Sequence, residues 1–170
     1  MSSSFLSDLI IRAAKVSERG MLEALQRRAS LANEEHRATL LAHPDAILLP
    51  IEHLTKGCTL VAERGGEMLG FCVVLSRQDG EAELDGLFVE PRAWRSSIGT
   101  RLIAEASRVA ASTGSAWLWV VCGEITTGFY ERCGFEKVGE IETRFETAVS
   151  MRKRISRQQD DSPSPSLMES

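Results

Sequence analysis

Apolar positions in this chain recur in two rhythms. Leu25 and Ala29 follow Met21 and Leu22 at steps of three and four residues, which predicts a helix from a Ser17 cap to about Ala32 with one buried face. Glu34 to Leu41 continues as a second helical piece. It is stopped by His43-Pro44, because a proline disfavours helical geometry in the residue before it. The same spacing places Ile98, Leu102, Ile103, Ala106, Val109 and Ala110 on one stripe of a helix from Ile98 to about Ser112, with Gly114 at the expected C-terminal cap. A further short helix ends at Gly134.

Between these pieces the pattern is that of strands. DLIIRAA, residues 8–14, reads as the first. CTLVAER and EMLGFCVVLSR flank Gly65-Gly66 as a hairpin, and AELDGLFVEP follows a turn at Asp79-Gly80. AWLWVV, residues 116–121, is apolar at every position and predicts a central strand covered on both faces. Strands from Phe135 to about Ile141 and from Ala148 to Ile155 complete the set. The stretch from Asp45 to Gly57, with Pro50 inside it, reads as a loop and short helix on the substrate side. Hairpins precede a β-α-β crossover in this order. The pattern predicts a three-layer α/β (α+β) fold with a mixed, mostly antiparallel sheet of seven strands and helices on both faces, not a doubly wound sheet.

A chain of 170 residues accommodates one domain. Its expected span is 8–155, between a flexible N-terminus at 1–7 and a polar, Pro/Ser-rich disordered tail at 156–170. A net charge of −4 speaks against a nucleic-acid partner. No apolar run approaches the roughly 18 residues of a membrane span, so no membrane partner is expected. The first residues lack a basic region, and Asp8 and Arg12 interrupt any secretory core. Cys58, Cys72, Cys122 and Cys133 show no paired spacing and read as reduced thiols of a cytoplasmic protein. His36, His43 and His53 are scattered, so no metal is expected.

The chemistry concentrates between Leu84 and Ile103. An apolar strand enters a turn at Pro91, and a Ser/Gly loop opens directly into the amphipathic helix. The first N–H groups of a helix have no intrahelical partner and sit at the positive end of its dipole, so such a loop suits a phosphate or pyrophosphate. Gly99 permits close backbone approach, and Arg95 and Arg101 supply charge. The competing reading is a plain helix cap by Ser96 or Ser97 with no ligand.

Two segments carry a family resemblance. Trp94-Arg95-Ser96-Ser97-Ile98-Gly99 resembles the Q/R-x-x-G-x-G/A loop of the GNAT superfamily of acyl-CoA-dependent N-acyltransferases, with Trp94 in place of Gln/Arg and Ser97 in place of the first glycine. Leu87-Phe88-Val89-x-Pro91 is similar to the family's strand ending, and Phe129 to Phe135 resembles its FYExxGF segment. The likeness is to small bacterial-type N-acetyltransferases. It implies a splayed strand pair and acetyl-CoA as co-substrate. The pyrophosphate would lie on Arg95, Ser96, Ser97, Ile98, Gly99 and Thr100, and the pantetheine arm along the main chain of Leu87, Phe88 and Val89.

The resemblance further implies Tyr130 beside the coenzyme sulfur, with Glu83 or Asp85 as the base that relieves the acceptor amine of its proton; Glu124 is a third carboxylate near the site. Gly123 stands at a pantetheine-binding position where the family often has asparagine. The acceptor pocket is expected from the first helices, residues 45–57 and the last strand pair, with Arg144 and Arg152 available to an acidic group. The acceptor is read as a small-molecule or peptide amine, and a homodimer is left open. The departures at Ser97 and Gly123 keep a second reading in play, a non-catalytic acyl-CoA-binding or regulatory module.

Overall fold

The computed structural model describes residues 8–144 and 146–155; the expectations for residues 1–7 and 156–170 lie outside that range. Seven strands form one sheet: β1 (Ile10–Ala13), β2 (Thr59–Arg64), β3 (Glu67–Ser76), β4 (Ala82–Val89), β5 (Trp117–Cys122), β6 (Glu136–Glu142) and β7 (Thr147–Arg154), in spatial order β1-β2-β3-β4-β5-β7-β6. Every neighbouring pair is antiparallel except β4 and β5. Two parallel neighbours need a crossover, and α4 (Ile98–Ser112) provides it.

The sheet is mixed and mostly antiparallel, as expected from the hydrophobic pattern. α4 covers one face with Ile98, Leu102, Ile103, Ala106 and Ala110, all at most 1% exposed, against Leu84, Leu118 and Met151. Each buried Leu or Ile contributes about 1.5–3 kcal/mol. On the other face α1 (Arg19–Ala32) and α3 (Ile51–Thr55) bring Leu22, Leu25 and Leu54 onto Val61, Phe71 and Val73. α2 (Glu34–Ala42) follows α1 directly, and α5 (Thr127–Arg132) precedes β6.

Four local expectations are corrected. Ser17 does not cap α1, because a 3-10 turn at Val16–Glu18 precedes the helix; there the Lys15 N–H donates to the Glu18 carboxylate at 2.8 Å. Met21 is 58% exposed, since only Leu22, Leu25 and Ala29 of its stripe face the sheet. The strand at 117–122 is not covered on both faces. Trp117 and Trp119 are only half-buried, stacked under the guanidinium groups of Arg152 (3.9 Å from the Trp117 ring) and Arg77 (4.4 Å from the Trp119 ring). The stretch from Asp45 to Gly57 sends Leu49 and Leu54 into the core beneath α1, and none of its residues lines the cavity described below.

Arg12 on β1 ties the 3-10 turn to the sheet, donating to Glu18 at 2.9 and 2.7 Å and to Glu63 at 3.2 Å. The hydrogen bonds from Arg12 lower the Glu18 pKa from an ordinary 4.5 to about 2. A lowered carboxylate pKa stabilises the fold above the unfolded value, and that contribution is lost as pH falls through the folded one. Glu18→Gln is therefore expected to cost about 1 kcal/mol at neutral pH. It should also flatten the decline of stability between pH 4.5 and about 2, read by denaturant titration at several pH values.

Candidate active site

The site begins where β4 leaves β5. The two strands pair only over Ala82–Leu84 with Leu118–Val120. Their near end is pinned by Glu81, whose carboxylate accepts from the N–H groups of Ala116 (3.0 Å) and Trp117 (2.7 Å). Beyond Leu84 they separate. A register shift causes the bend: Val74 opposes Leu84 while Val73 opposes Gly86, so Asp85 has no partner on β3. Gly86 leaves room there for the Phe88 ring, which a Cβ would approach within 2.8 Å and push aside. Past the bulge, the Glu90 N–H donates to Leu69 at 2.8 Å. Antiparallel alternation then turns the main-chain groups of Leu87 and Val89 toward the gap, and those of Phe88 toward β3.

The loop after β4 folds back on this strand end. Pro91–Ala93 forms a 3-10 turn, the Trp94 indole N–H donates to the Val89 carbonyl at 2.8 Å, and the Ser96 hydroxyl donates to the Ala93 carbonyl. Arg95 and Ser97 both adopt left-handed backbone, φ 66° and 69°. Ser97 occupies the N-cap of α4 yet makes no side-chain cap, and no described residue accepts from the N–H of Ile98, Gly99 or Thr100. These amides are an open anion cradle at a helix N-terminus. Gly99 faces Phe129, whose ring would stand 3.0 Å from an added Cβ, so α4 and α5 meet closely through this glycine. Arg101 points elsewhere and donates to the Leu9 carbonyl at 3.3 Å.

A left-handed serine carries about 1–2 kcal/mol of strain that glycine does not. Ser97→Gly is expected to raise stability by about 1 kcal/mol. With the cradle relaxed in the same shape, affinity for coenzyme A should not fall; calorimetry with the coenzyme checks this, and a loss of affinity would give the Ser97 hydroxyl a direct role.

Loop and gap open into one cavity of about 940 Å³. Its wall includes all six residues from Arg95 to Thr100, together with Asp85, Leu87, Phe88, Val89, Gly123 and Tyr130. Tyr130 on α5 is 8% exposed and is held edge-on between Phe129 (5.2 Å) and Phe135 (5.4 Å). Burial raises its pKa well above that of an ordinary phenol. Burial also lifts the thiols of Cys72, to about 12, and of Cys122, so neither is a thiolate at neutral pH.

The bulge separates the two carboxylates on β4. Asp85 is exposed and reaches the cavity, whereas Glu83 lies in register with Trp119 away from it, its pKa raised by burial and by Asp85. Glu124 is also off the cavity wall. Arg152 is occupied on the sheet face, stacked on Trp117 and 3.1 Å from the Glu136 carboxylate. The cavity wall also includes Asn33, Glu34, His36 and Glu146. These residues have no sequence signature, because the α1–α2 junction and the β6–β7 turn meet only in three dimensions. Arg28 fixes α1 above the bent strand, donating to both oxygens of Glu90 at 2.9 Å and lowering the Glu90 pKa.

Comparison with known proteins accords with this geometry. The model of the Acetyltransferase (GNAT) family matches residues 25–135, which run from within α1 through the bent strand and the cradle to just past Tyr130. Curated protein sequences give no match. Among solved structures, a GCN5-related N-acetyltransferase from Rhodopseudomonas palustris superimposes with a TM-score of 0.73 at 19% identity, over 90% of this chain and 99% of that one. The PaiA N-acetyltransferase of Thermoplasma acidophilum, solved in complex with coenzyme A, gives 0.70 at 18% identity over 86% and 99%. A ribosomal-protein alanine N-acetyltransferase from Escherichia coli gives 0.66 at 19% over 91% and 98%. At these identities the likeness is one of fold. The family match covers most of the chain and carries both motifs, and on that ground the chain belongs to the GNAT family of acetyltransferases.

Proposed function

We propose that the protein is an acetyl-CoA-dependent N-acetyltransferase that moves an acetyl group to a primary amine by direct attack while both substrates are bound. The observation that carries this reading is the continuity of the cavity, from the uncapped amides of Ile98, Gly99 and Thr100, along the freed edge of β4, to Tyr130. An elongated thioester with a diphosphate at one end matches that course. The cradle takes the diphosphate through backbone N–H groups, with Arg95 and Arg132 on the same wall. The outward Val89 N–H and Leu87 carbonyl pair with the pantetheine amides as an added strand would.

The co-substrate supplies the activated acetyl carbon. The amine lone pair forms the new C–N bond as the C–S bond breaks, and the sulfur leaves with the electron pair. The Leu87 N–H, turned toward the gap beside the bulge, stabilises the carbonyl oxygen as it gains charge. Tyr130 keeps its proton throughout the neutral range and donates it, as a hydrogen bond or outright, to the departing sulfur. Asp85, exposed at the bulge, accepts the proton released from nitrogen through water. Direct transfer fits the raised Cys122 thiol better than an acyl-cysteine does.

The second reading is a non-catalytic acyl-CoA-binding module, favoured by the strained serine at position 97 and by the missing side chain at 123. An acceptor screen with detection of free thiol, run beside calorimetry with acetyl-CoA, separates the two. Thiol release that depends on a primary amine is the expected result. Binding without turnover across amines and peptides would favour the module, and no binding would end both.

A further inference from the structure

Two exposed apolar side chains stand on the cavity wall just past the ends of the diverging strands. Trp94 follows β4 and is 44% exposed; Ile125 follows β5 and is 73% exposed. Apolar surface held against water on a concave wall is surface that a ligand gains by covering.

Trp94 is exposed yet fixed. Its indole N–H donates to the Val89 carbonyl at 2.8 Å, and its backbone N–H donates to the Pro91 carbonyl at 3.2 Å. The ring is thus held at the seam between the freed edge of β4 and the loop that opens α4, and covering a ring already fixed costs little further entropy. The indole bond also takes up the Val89 carbonyl. Of the outward groups at the end of β4, the Leu87 N–H, the Leu87 carbonyl and the Val89 N–H stay open to a ligand. A molecule lying along this edge meets an indole after the Val89 N–H, where the backbone alone would have offered an acceptor. The part of the ligand placed there should therefore be apolar.

Coenzyme A has such a part. Its pantoyl unit, a carbon bearing two methyl groups, links the diphosphate to the first pantetheine amide. With the diphosphate on the amides of Ile98, Gly99 and Thr100 and the pantetheine along Leu87 and Val89, that link falls at the seam where Trp94 is anchored. We infer that Trp94 is a coenzyme-binding residue whose indole covers the pantoyl methyl groups, with Ile125 on the β5 side of the same passage. This rests on the acyl-CoA reading above. Tryptophan in place of Gln/Arg at the start of the loop is then a change of contact, from polar to apolar, rather than a loss. The hold on this link comes from burial of apolar surface, which salt does not screen.

The test uses the full chain and three probes in calorimetry. Coenzyme A carries every part, 4′-phosphopantetheine keeps the pantoyl unit without the adenosine, and adenosine 3′,5′-bisphosphate keeps the base and phosphates without the pantoyl unit. Trp94→Ala should raise the Kd of the first two by about 10-fold alike and leave the third unchanged. Trp94→Phe keeps an apolar ring and should retain most of the affinity. A second readout needs no loss of binding. Trp117 and Trp119 do not line the cavity, so saturation with coenzyme A or with 4′-phosphopantetheine should shift wild-type tryptophan emission to the blue and leave that of Trp94→Phe unmoved. Unchanged Kd values in Trp94→Ala would overturn the inference. So would an emission shift or an affinity loss that appears with coenzyme A and is missing with 4′-phosphopantetheine, which would place the ring against the adenine. A lowered Tm with all three probes weakened alike and no emission shift in wild type would make Trp94 structural. Failure of wild type to bind coenzyme A would instead reject the acyl-CoA reading itself, and the inference with it.

Discussion

Tyr130→Phe is expected to lower kcat by about 10²–10⁴-fold while leaving acetyl-CoA affinity unchanged. A loss of that size corresponds to roughly 3–5 kcal/mol of transition-state stabilisation. The substitution removes one hydroxyl and nothing else. The ring keeps its edge-on contacts with Phe129 and Phe135, so the wall of the cavity and the core behind it are retained. What is lost is the donor that meets sulfur as the C–S bond breaks.

The pH dependence follows from the direction of the tyrosine shift. Burial favours the neutral phenol, so the proton is present below and through the ordinary phenol range near 10. Turnover in the wild type should therefore show no alkaline fall from Tyr130 until above that range. Steady-state rates over a pH series, beside calorimetry on both proteins, provide the check. Equal turnover in Tyr130→Phe would leave the side chain a core residue and move the proton donor elsewhere.

Gly70→Ala is expected to destabilise the fold by about 1–3 kcal/mol and to weaken coenzyme binding with it. A Cβ on Gly70 would lie 2.9 Å from the Phe88 carbonyl oxygen and 3.3 Å from both Ile98 and Leu102. The first contact is backbone and cannot rotate away. Relief requires β4 to shift from β3 at the position that aims Leu87 and Val89 into the gap, or α4 to lift from the sheet and carry its N-terminus with it. Either movement disturbs the cavity, so the loss should appear both in denaturant midpoint and in coenzyme A Kd. An alanine variant of wild-type stability would show that β3 and β4 are not packed as closely here as the positions of Gly70 and Phe88 require.

Much of this architecture was legible before any coordinates. The stripe of α4 placed its start at Ile98 and its end near Ser112; five of its six expected apolar positions are buried, and Gly114 takes up a positive φ of 89° after the last turn. The hairpins were readable from Gly65-Gly66 and Asp79-Gly80, and the splayed strand pair came from the family resemblance. The errors share a cause. Met21 lies one position from Leu22, so spacing alone did not decide which of them faces the sheet. Trp117 and Trp119 looked like core residues by composition, but their cover is a layer of arginine side chains contributed by β7 and by Arg77 just after β3.

The candidate site divides along the same line. Local rules govern what lies within a few residues. The loop that opens α4 was readable from short-range sterics and periodicity, the segment around Tyr130 was reached through the family resemblance, and the left-handed backbone of Arg95 and Ser97 emerged only in the structure. Long-range packing governs the rest. Sheet order put β7 between β5 and β6, the bulge at Asp85 broke the two-residue alternation and sent Glu83 away from the cavity, and the α1–α2 junction brought Glu35 against Gly123. No neighbouring residue encodes those meetings. They arise from the burial of two faces of one sheet at once, and burial is a property of the whole chain.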